Sequence, residues 1–550
     1  MWQDIPDTWL LEIFQYLDFQ QLVRSSAVCK KWQRVALDES LWRKLVRSRW
    51  NIKDTDLAPG KDLWYNEYKR FYFHTPVIES ELLTDHTDEV LDVAFSYNGK
   101  YIATTSKDCT VKVWELGYPT TLKFNADLKE LLDWTLTQYA AFNQTDEYLL
   151  VCGVNITGAF YNEFFMGHGV VFDLTHDFCI LRVMGMNPPH LFADWADTNI
   201  CIGGYATNHD YLTINSFKIP EKIKGKKSEN ARPPDPQQIL QNADGNKLCT
   251  FYADCNHTMN LLVANVPVNH NELYNSDNTI DKNSNAVTEQ ENSKYIKYLV
   301  FVAGVHDCII LHRLNNVHTT RDFDEANVVR PTSYEVIRRP GQYISGMKLS
   351  HDHRYLYFNY RKAVLDPNGK EEDYLSLKED LEVSVIDLQT KKVIPDVSYT
   401  GHKGFSEYPA WYICLDTSDD IVARLVSEYP AWYICLGWYQ NTQLGISVWV
   451  GIRIPSLVYL SGLVSEYPAW YICLDTSDDI VASGSEEAKA YLWDKHYRCL
   501  ITTLQHSDGV VNGIEFNPKD YECVVTTGDD HTIRIWRSRN RMKTLGKEYK

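Results

Sequence analysis

Apolar residues at Leu10, Ile13, Phe14 and Leu17 fall at i, i+3, i+4 and i+7, one face of an amphipathic helix, with Pro6 and Asp7 suited to its start. A second segment carries Leu22, Ala27, Val28 and Trp32, and a third Leu41, Trp42 and Leu45, so residues 1–50 predict a small all-α domain of three short helices. A domain this small buries a modest fraction of its surface, and a partner covering its remaining apolar stripe would relieve that. Residues 51–76 predict a helical connector from Lys61 onward, with Trp64, Tyr65, Tyr68, Phe71 and Tyr72. Such an aromatic set is expected to pack rigidly between domains rather than to hold a cofactor.

From His86 the period changes to that of short strands. VLDVAFSYNGKYIATTSKDCTVKVW, ending at Trp114, alternates apolar and polar positions around Asn-Gly and Asp-containing turns. A near-copy, VVNGIEFNPKDYECVVTTGDDHTIRIW, follows His506 and ends at Trp536. Weaker units at 134–174, 190–219, 247–314, 343–388 and 402–493 bring the expected number of four-stranded antiparallel units to seven, with eight the alternative count. Residues 77–83 (VIESELL) are placed to supply the outer strand of the last unit and remove the exposed edges. The β region thus runs over 77–540, with a basic tail at 541–550. Charged, Pro-containing 220–246 and Asn-rich 266–294 read as loops. The Lys cluster at 222–227 reads as part of a solvated loop, with nuclear import or ubiquitin acceptance as alternatives.

One segment breaks the pattern. SEYPAWYICLDTSDDIVA occurs at 406–423 and again, letter for letter, at 465–482. Structural repeats share a pattern rather than an identical string. From His402 to Trp493 is 91 residues, against 28 and 30 in the first and last units, and removing one 59-residue period leaves 32. Residues 424–482 are therefore read as a duplication introduced by gene assembly or splicing, with an extra blade as the alternative. Joining Ala423 to Ser483 puts Ser483, Glu487 and Trp493 at the positions that Thr, Asp and Trp hold elsewhere.

The recurring polar set is His86, Thr104, Asp108 and Trp114 in the first unit and His506, Thr526, Asp530 and Trp536 in the last. A His, a hydroxyl and an Asp look catalytic on paper. No activated nucleophile stands among them, and the Asp sits at a turn, so they are read as a buried structural relay.

Composition narrows the classes. The chain has 550 residues, net charge −18, 44% apolar and 13% aromatic residues, which excludes a disordered, collagen-like or small disulfide-scaffold protein. Residues 1–75 carry +2 and the rest −20, so the two regions present different surfaces, and the acidic one disfavours nucleic acid. Thirteen cysteines include no CxxC; Cys249, Cys255 and His257 form the tightest Cys/His cluster, and no metal or cofactor is expected. The opening MWQDIPDTWLL lacks a basic region before an apolar run, so a reducing compartment is expected, the cytoplasm first and the nucleus as a second location. Only 444–464 approaches membrane-span length, and Arg453 and Pro455 interrupt it.

The N-terminal residues resemble the F-box: Ile5-Pro6, Leu10, Ile13-Phe14, Leu17, Val28-Cys29-Lys30-x-Trp32 and Leu41-Trp42. The strand units resemble WD repeats of a β-propeller. The order F-box, connector, propeller, and the runs VCKKWQ, HTDEVLDVAFS, TSKDCTVKVW, RYLYFN and WDKHY, resemble the F-box/WD-repeat substrate receptors over nearly the whole chain except the duplicated segment. The resemblance implies a non-catalytic adaptor that docks on the Skp-type adaptor and cullin scaffold of a ubiquitin ligase and presents a protein substrate on the propeller face. By analogy Ile5, Pro6, Leu10, Ile13 and Phe14 face the adaptor, and Val28, Cys29, Trp32 and Trp42 mainly hold the helices together. Two alternatives are docking on the damage-binding adaptor of cullin-four ligases and a scaffold without ligase function. The Trp-Asp-x-Arg motif of the first departs here: Trp493-Asp494-Lys495-His496 lacks the Arg and Trp536-Arg537-Ser538-Arg539 lacks the Asp. With no Arg at a repeated blade position, a basic or apolar substrate segment is expected over a phosphorylated one.

Overall fold

The computed structural model describes residues 5–53, 56–58, 60–155, 166–186, 193–207, 211–219, 246–252, 259–267, 295–303, 307–314, 328–329, 334–350, 352–364, 376–403, 415–416, 422–423, 474–477 and 479–547. Most of both expected loops, the Lys cluster at 222–227, Cys255, His257 and residues 424–473 lie outside them.

The N-terminal module has four helices, Asp7–Phe14, Phe19–Ser26, Lys30–Ala36 and Glu39–Trp50, not three. The expected second helix breaks at Cys29, whose extended backbone (φ −162°, ψ 167°) makes it the N-cap of the next one. Asp18 starts Phe19–Ser26 with a capping box: its side chain accepts the Gln21 amide at 2.8 Å, and the Gln21 side chain accepts the Asp18 amide at 3.0 Å. The connector is helical over Trp64–Lys69 and continues as a π-turn, Arg70–His74.

Seven four-stranded antiparallel blades follow, a β-propeller. Blade one is Val90–Phe95, Tyr101–Ser106, Thr110–Glu115 and Thr121–Asp127. Blades two to five occupy 136–186, 193–252, 259–338 and 342–403, blade three taking Val328–Val329 as an added parallel strand. Blade six is Leu474–Thr476, Ile480–Ser483, Lys489–Asp494 and Leu500–Gln505. Blade seven combines Val511–Asn517, Asp520–Gly528 and Ile533–Ser538 with an outer strand from the start of the chain, Pro76–Leu83, paired antiparallel to Ile533–Ser538. The ring is closed by chain ends far apart in sequence.

Every junction between neighbouring blades buries apolar side chains. At the closing junction Val93, Ile102 and Trp114 of blade one meet Cys523, Val525 and Ile535 of blade seven. Blades six and seven share Leu492, Ile514 and Phe516. At ~1.5–3 kcal/mol per large side chain, this burial supplies most of the drive for ring assembly. Carboxylates on inner strands add direction by accepting an amide of the next blade: Asp92 from Ala140 (3.0 Å), Asp194 from Val263 (2.8 Å), Asp475 from Phe516 (2.7 Å) and Glu515 from Phe95 (2.6 Å). Gly99, at φ +70°, turns the first blade where a Cβ would lie 2.3 Å from Asn517 Oδ1, and its carbonyl accepts the Asn517 side-chain amide at 3.0 Å.

The helical module is continuous with the propeller. Leu10, Phe14, Trp42 and Val46 share one buried cluster with Trp64, Tyr68 and Phe71 of the connector and with Tyr497 and Cys499 of blade six. Trp42 lies edge-on to Tyr65 and Tyr68, and its indole N–H donates to the Ala36 carbonyl at 2.7 Å.

The second copy of the duplicated string supplies the two inner strands of blade six. In the first copy, among the described residues, Leu415–Asp416 and Val422–Ala423 pair with each other as a separate two-stranded sheet. If 424–482 is excised, Asp416 and Asp420 take the places of Asp475 and Asp479, and Ala423 leads into Ser483. The shortened chain is expected to keep the full-length far-UV circular dichroism per residue and a thermal midpoint within about 3 °C. Loss of cooperative unfolding on excision would show that the inserted residues belong to the propeller.

Candidate functional site

Three regions were candidates for chemistry: the blade relays, the central channel and the N-terminal apolar surface. In blade one His86 Nδ1 is 2.8 Å from Asp108 Oδ2 and Nε2 is 2.9 Å from Thr104 Oγ1, while Trp114 Nε1 donates to Thr104 Oγ1 at 3.0 Å. Blade seven repeats this with His506 to Asp530 (3.1 Å) and Thr526 (2.7 Å), and Trp536 to Thr526 (2.8 Å). His86, Thr104, His506 and Thr526 are at most 4% exposed, so these groups join a loop to the blade and present nothing to solvent. Burial opposes ionisation of Asp108 and Asp530. Even so, hydrogen bonds from His86 and Thr110, and from His506 and Thr532, hold both carboxyls well below the usual range.

Blade six departs from the expected relay. The Trp493 indole donates to the Thr400 carbonyl at 3.1 Å, the Ser483 hydroxyl donates to the Gly484 carbonyl at 3.0 Å, and Glu487 accepts from the Tyr491 hydroxyl. These bonds differ from the Thr–Trp link of blades one and seven. His402 belongs by its backbone to the outer strand of blade five, paired with Leu381, and the longer Glu487 reaches a neighbouring ring.

The channel gathers Asp92, Asp194, Asp475 and Glu515 near Lys348, whose Nζ lies 2.8 Å from Glu515 Oε1 and 3.8 Å from Asp475 Oδ1. Burial pushes Glu515 up to about 7 and Asp194 up to about 6. Perturbed acids in a cavity usually invite a catalytic reading. Here each carboxylate is bonded to the amide of the next blade, which accounts for its position. Among the described residues no group of three His, Cys, Asp or Glu is arranged to hold a metal ion, and no helix is long and apolar enough to cross a membrane.

Of these three regions, the N-terminal surface is where the described residues expose several large apolar side chains. Leu10 (0% exposed) and Phe14 (2%) lie in the module's own core, which corrects their expected place at the adaptor. Val28, expected to hold helices together, is 62% exposed. Ile13 (47%) and Pro6 are exposed as expected, and Ile5 is half-buried with its carbonyl accepting from Lys31 Nζ at 2.5 Å. Leu17, Cys29 and Trp32 are half-buried, Trp32 edge-on to Phe14 at 5.3 Å, and Leu41 and Trp42 are core. The residues not singled out from sequence are Trp9 (69%), Tyr16 (83%) and Val23 (47%). Trp9 and Ile13 lie on the first helix beside its buried stripe of Leu10 and Phe14, with Pro6 at its N-cap and Tyr16 just past its end. The signal was present: this helix has more apolar positions than one buried stripe accommodates.

The module meets the propeller at the loops of blade six that hold Asp479 and Asp494–Cys499. The His–Asp relays anchor the loops at the opposite ends of the strands. Around blades one and seven that far face is acidic, with Asp85, Asp88, Glu89, Asp508 and Asp529 in its loops and Lys107 paired with Glu89, whereas exposed Arg338, Lys362 and Lys378 stand at the same end of blades four and five. Burial and nearby Asp529 push the Glu89 carboxyl up. The arginines of blade seven are engaged: Arg534 with Glu79 (2.6 Å) and Asp530 (3.0 Å), Arg537 with Glu81 (2.6 Å).

Comparison with known proteins agrees with this anatomy. The F-box-like family model matches residues 2–48, and the model of the WD domain, G-beta repeat, matches 79–115 and 497–537. F-box/WD repeat-containing protein 5 of Rattus norvegicus is 24% identical over 98% of this chain and 95% of its own length, and that of Homo sapiens is 25% identical over the same shares. The WD repeat-containing protein 26 homolog of Arabidopsis thaliana is 38% identical over 12% of this chain and 10% of its own. The N-terminal module is thus F-box-like and the propeller is a WD-repeat propeller.

Asp108 and Asp530 have folded-state pKa values below those of an unfolded Asp, so their stabilisation is complete above about pH 4 and lost as pH falls through the folded values. His86→Ala together with Asp108→Asn is expected to remove the Asp108 share of the acid dependence, leaving that of Asp530, and to lower stability by about 2–4 kcal/mol in urea melts. An unchanged acid limb in the variant would place the dependence elsewhere.

Proposed function

We propose that this chain is the substrate-recognition subunit of a cullin-RING ubiquitin ligase, its F-box-like module docking on a Skp-type adaptor and its propeller holding the protein to be modified. The observation that carries the reading is the stripe Pro6, Trp9, Ile13 and Tyr16, exposed on a module whose core is otherwise filled. A solvated apolar stripe of this kind marks an interface. The receptor itself is non-catalytic: it raises the effective concentration of a substrate lysine near the ubiquitin-loaded enzyme, which is catalysis by proximity.

Substrate is assigned to the propeller face opposite the F-box, where the described loops are free of the connector and, around blades one and seven, acidic. A basic segment fits the acidic part of that face better than a phosphorylated one, since Arg534 beside it is already paired with Glu79 and Asp530. The cullin-four alternative is less well supported: the Asp494 carboxylate of the Trp-Asp pair is 1% exposed and bonded to Arg70 of the connector at 2.6 Å.

Co-expression with a Skp-type adaptor is expected to recover a complex. Trp9→Ala with Ile13→Asp is expected to weaken capture by about tenfold or more without lowering the thermal midpoint. Leu10→Ala is expected to act by another route, destabilising the module by about 2–5 kcal/mol because it opens a cavity. Full capture by the Trp9/Ile13 variant would remove this stripe as the docking surface. On the far face, basic peptides are expected to bind in preference to phosphopeptides, with affinity falling as salt rises; tight phosphopeptide binding that is lost on Arg substitution would contradict the assignment.

A further inference from the structure

We propose that Arg70 is the positioning residue that fixes the F-box-like module at one angle on the propeller, an inference that rests on the receptor reading above. Arg70 Nε and Nη2 donate to the two Glu67 oxygens at 3.1 and 2.8 Å, Nη2 also reaches Asp494 Oδ2 at 2.6 Å, and Nη1 lies 3.6 Å from Asp479. Glu67 and Asp494 are each 1% exposed on their side chains. Glu67 belongs to the connector helix, Asp494 ends the third strand of blade six, and Asp479 lies in the loop between its first two strands. One guanidinium therefore joins the helical arm to two parts of one blade.

The apolar packing around it, Trp64 and Phe71 against Tyr497 with ring centroids 6.0 Å apart, is non-directional and holds the arm down without setting its angle. The direction comes from the planar fork of the Arg, which fixes donor geometry as a Lys ammonium does not. Buried ion pairs are often no more stabilising than well-packed apolar groups, and setting a unique register is their best-attested use. Asp494 is itself braced, since its other oxygen accepts the amides of His496 and Tyr497 at 2.9 and 2.7 Å, and the Tyr497 hydroxyl accepts the Ala58 amide at 2.9 Å. Lys61 to Asp479 at 3.1 Å adds a second tie on the same side. From Arg70 only a short π-turn leads to Pro76, where pairing with Ser538 begins. The arm is thus pinned at two points, and a transfer geometry between ligase and substrate follows from both.

The test uses the full chain with genetically encoded spin labels at exposed Ser48 of the module and exposed Thr121 of blade one, read as an interlabel distance distribution. The unaltered protein is expected to give one narrow distribution. Arg70→Met is expected to broaden it about twofold or more, and Arg70→Lys to restore part of the width. If Arg70→Met leaves unpaired buried charges that prevent folding, E67Q/R70M/D494N, which removes all three charges, is read in its place and is expected to broaden the distribution equally. A folded Arg70 variant with the unaltered width would overturn the proposal. Adaptor capture is measured alongside and is expected to stay equal in all variants. Absence of capture in every protein, the unaltered one included, would overturn the receptor reading, while the label widths would still decide the role of Arg70.

Discussion

Pro76–Leu83 pairs with Ile533–Ser538, so the propeller cannot close without the strand that emerges directly from the connector. Backbone hydrogen bonding along that strand, together with the blade-one and blade-seven cluster around Ile102, Trp114 and Ile535, ties the first β residues to the last. A flexible linker would let the two regions sample many relative positions. Here the arm passes from a packed helix through a π-turn into a sheet strand with no unstructured interval. The aromatic residues of 64–72 join one buried cluster that spans Trp42, Tyr68 and Tyr497.

The polar groups that look most like chemistry are those most completely used by the fold. His86, Asp108 and Thr104 satisfy one another in blade one, as their counterparts do in blade seven. Channel carboxylates satisfy amides of neighbouring blades, and Lys348 neutralises part of their field. A buried polar group without a partner costs about 1–3 kcal/mol, so satisfied networks of this sort are what a closed ring requires.

Much of this was legible in the sequence, and the failures are instructive. Strand alternation between His86 and Trp114, and again between His506 and Trp536, located blades and relays because a period of two with Asp-containing turns has few other solutions. The closing strand was legible because VIESELL stood before the first repeat with no other sheet to join. The orientation of the first helix was not: Leu10 and Phe14 were placed outward and lie in the core, while Trp9, Ile13 and Tyr16 form the exposed stripe. A helix apolar on two sides gives a stripe to each, and periodicity alone does not say which faces inward. The same ambiguity placed Val28 inside, although the break at Cys29 turns it to solvent. In blade six, matching by position put Ser483, Glu487 and Trp493 at relay places, and there the longer Glu487 side chain accepts from Tyr491. The partnership of Arg70 with Asp494 spans 424 residues and no local pattern signals it.

The central claim is that one chain presents two separate binding faces held in fixed relation, and amide hydrogen exchange of the full chain with and without a Skp-type adaptor tests it most directly. The account predicts new protection confined to the stretch around Asp7–Ala36, with exchange at the connector and at Asp494–Cys499 already slow and unchanged. Protection appearing at Asp494–Cys499 instead, or no change along Asp7–Ala36 at saturating adaptor, would contradict it.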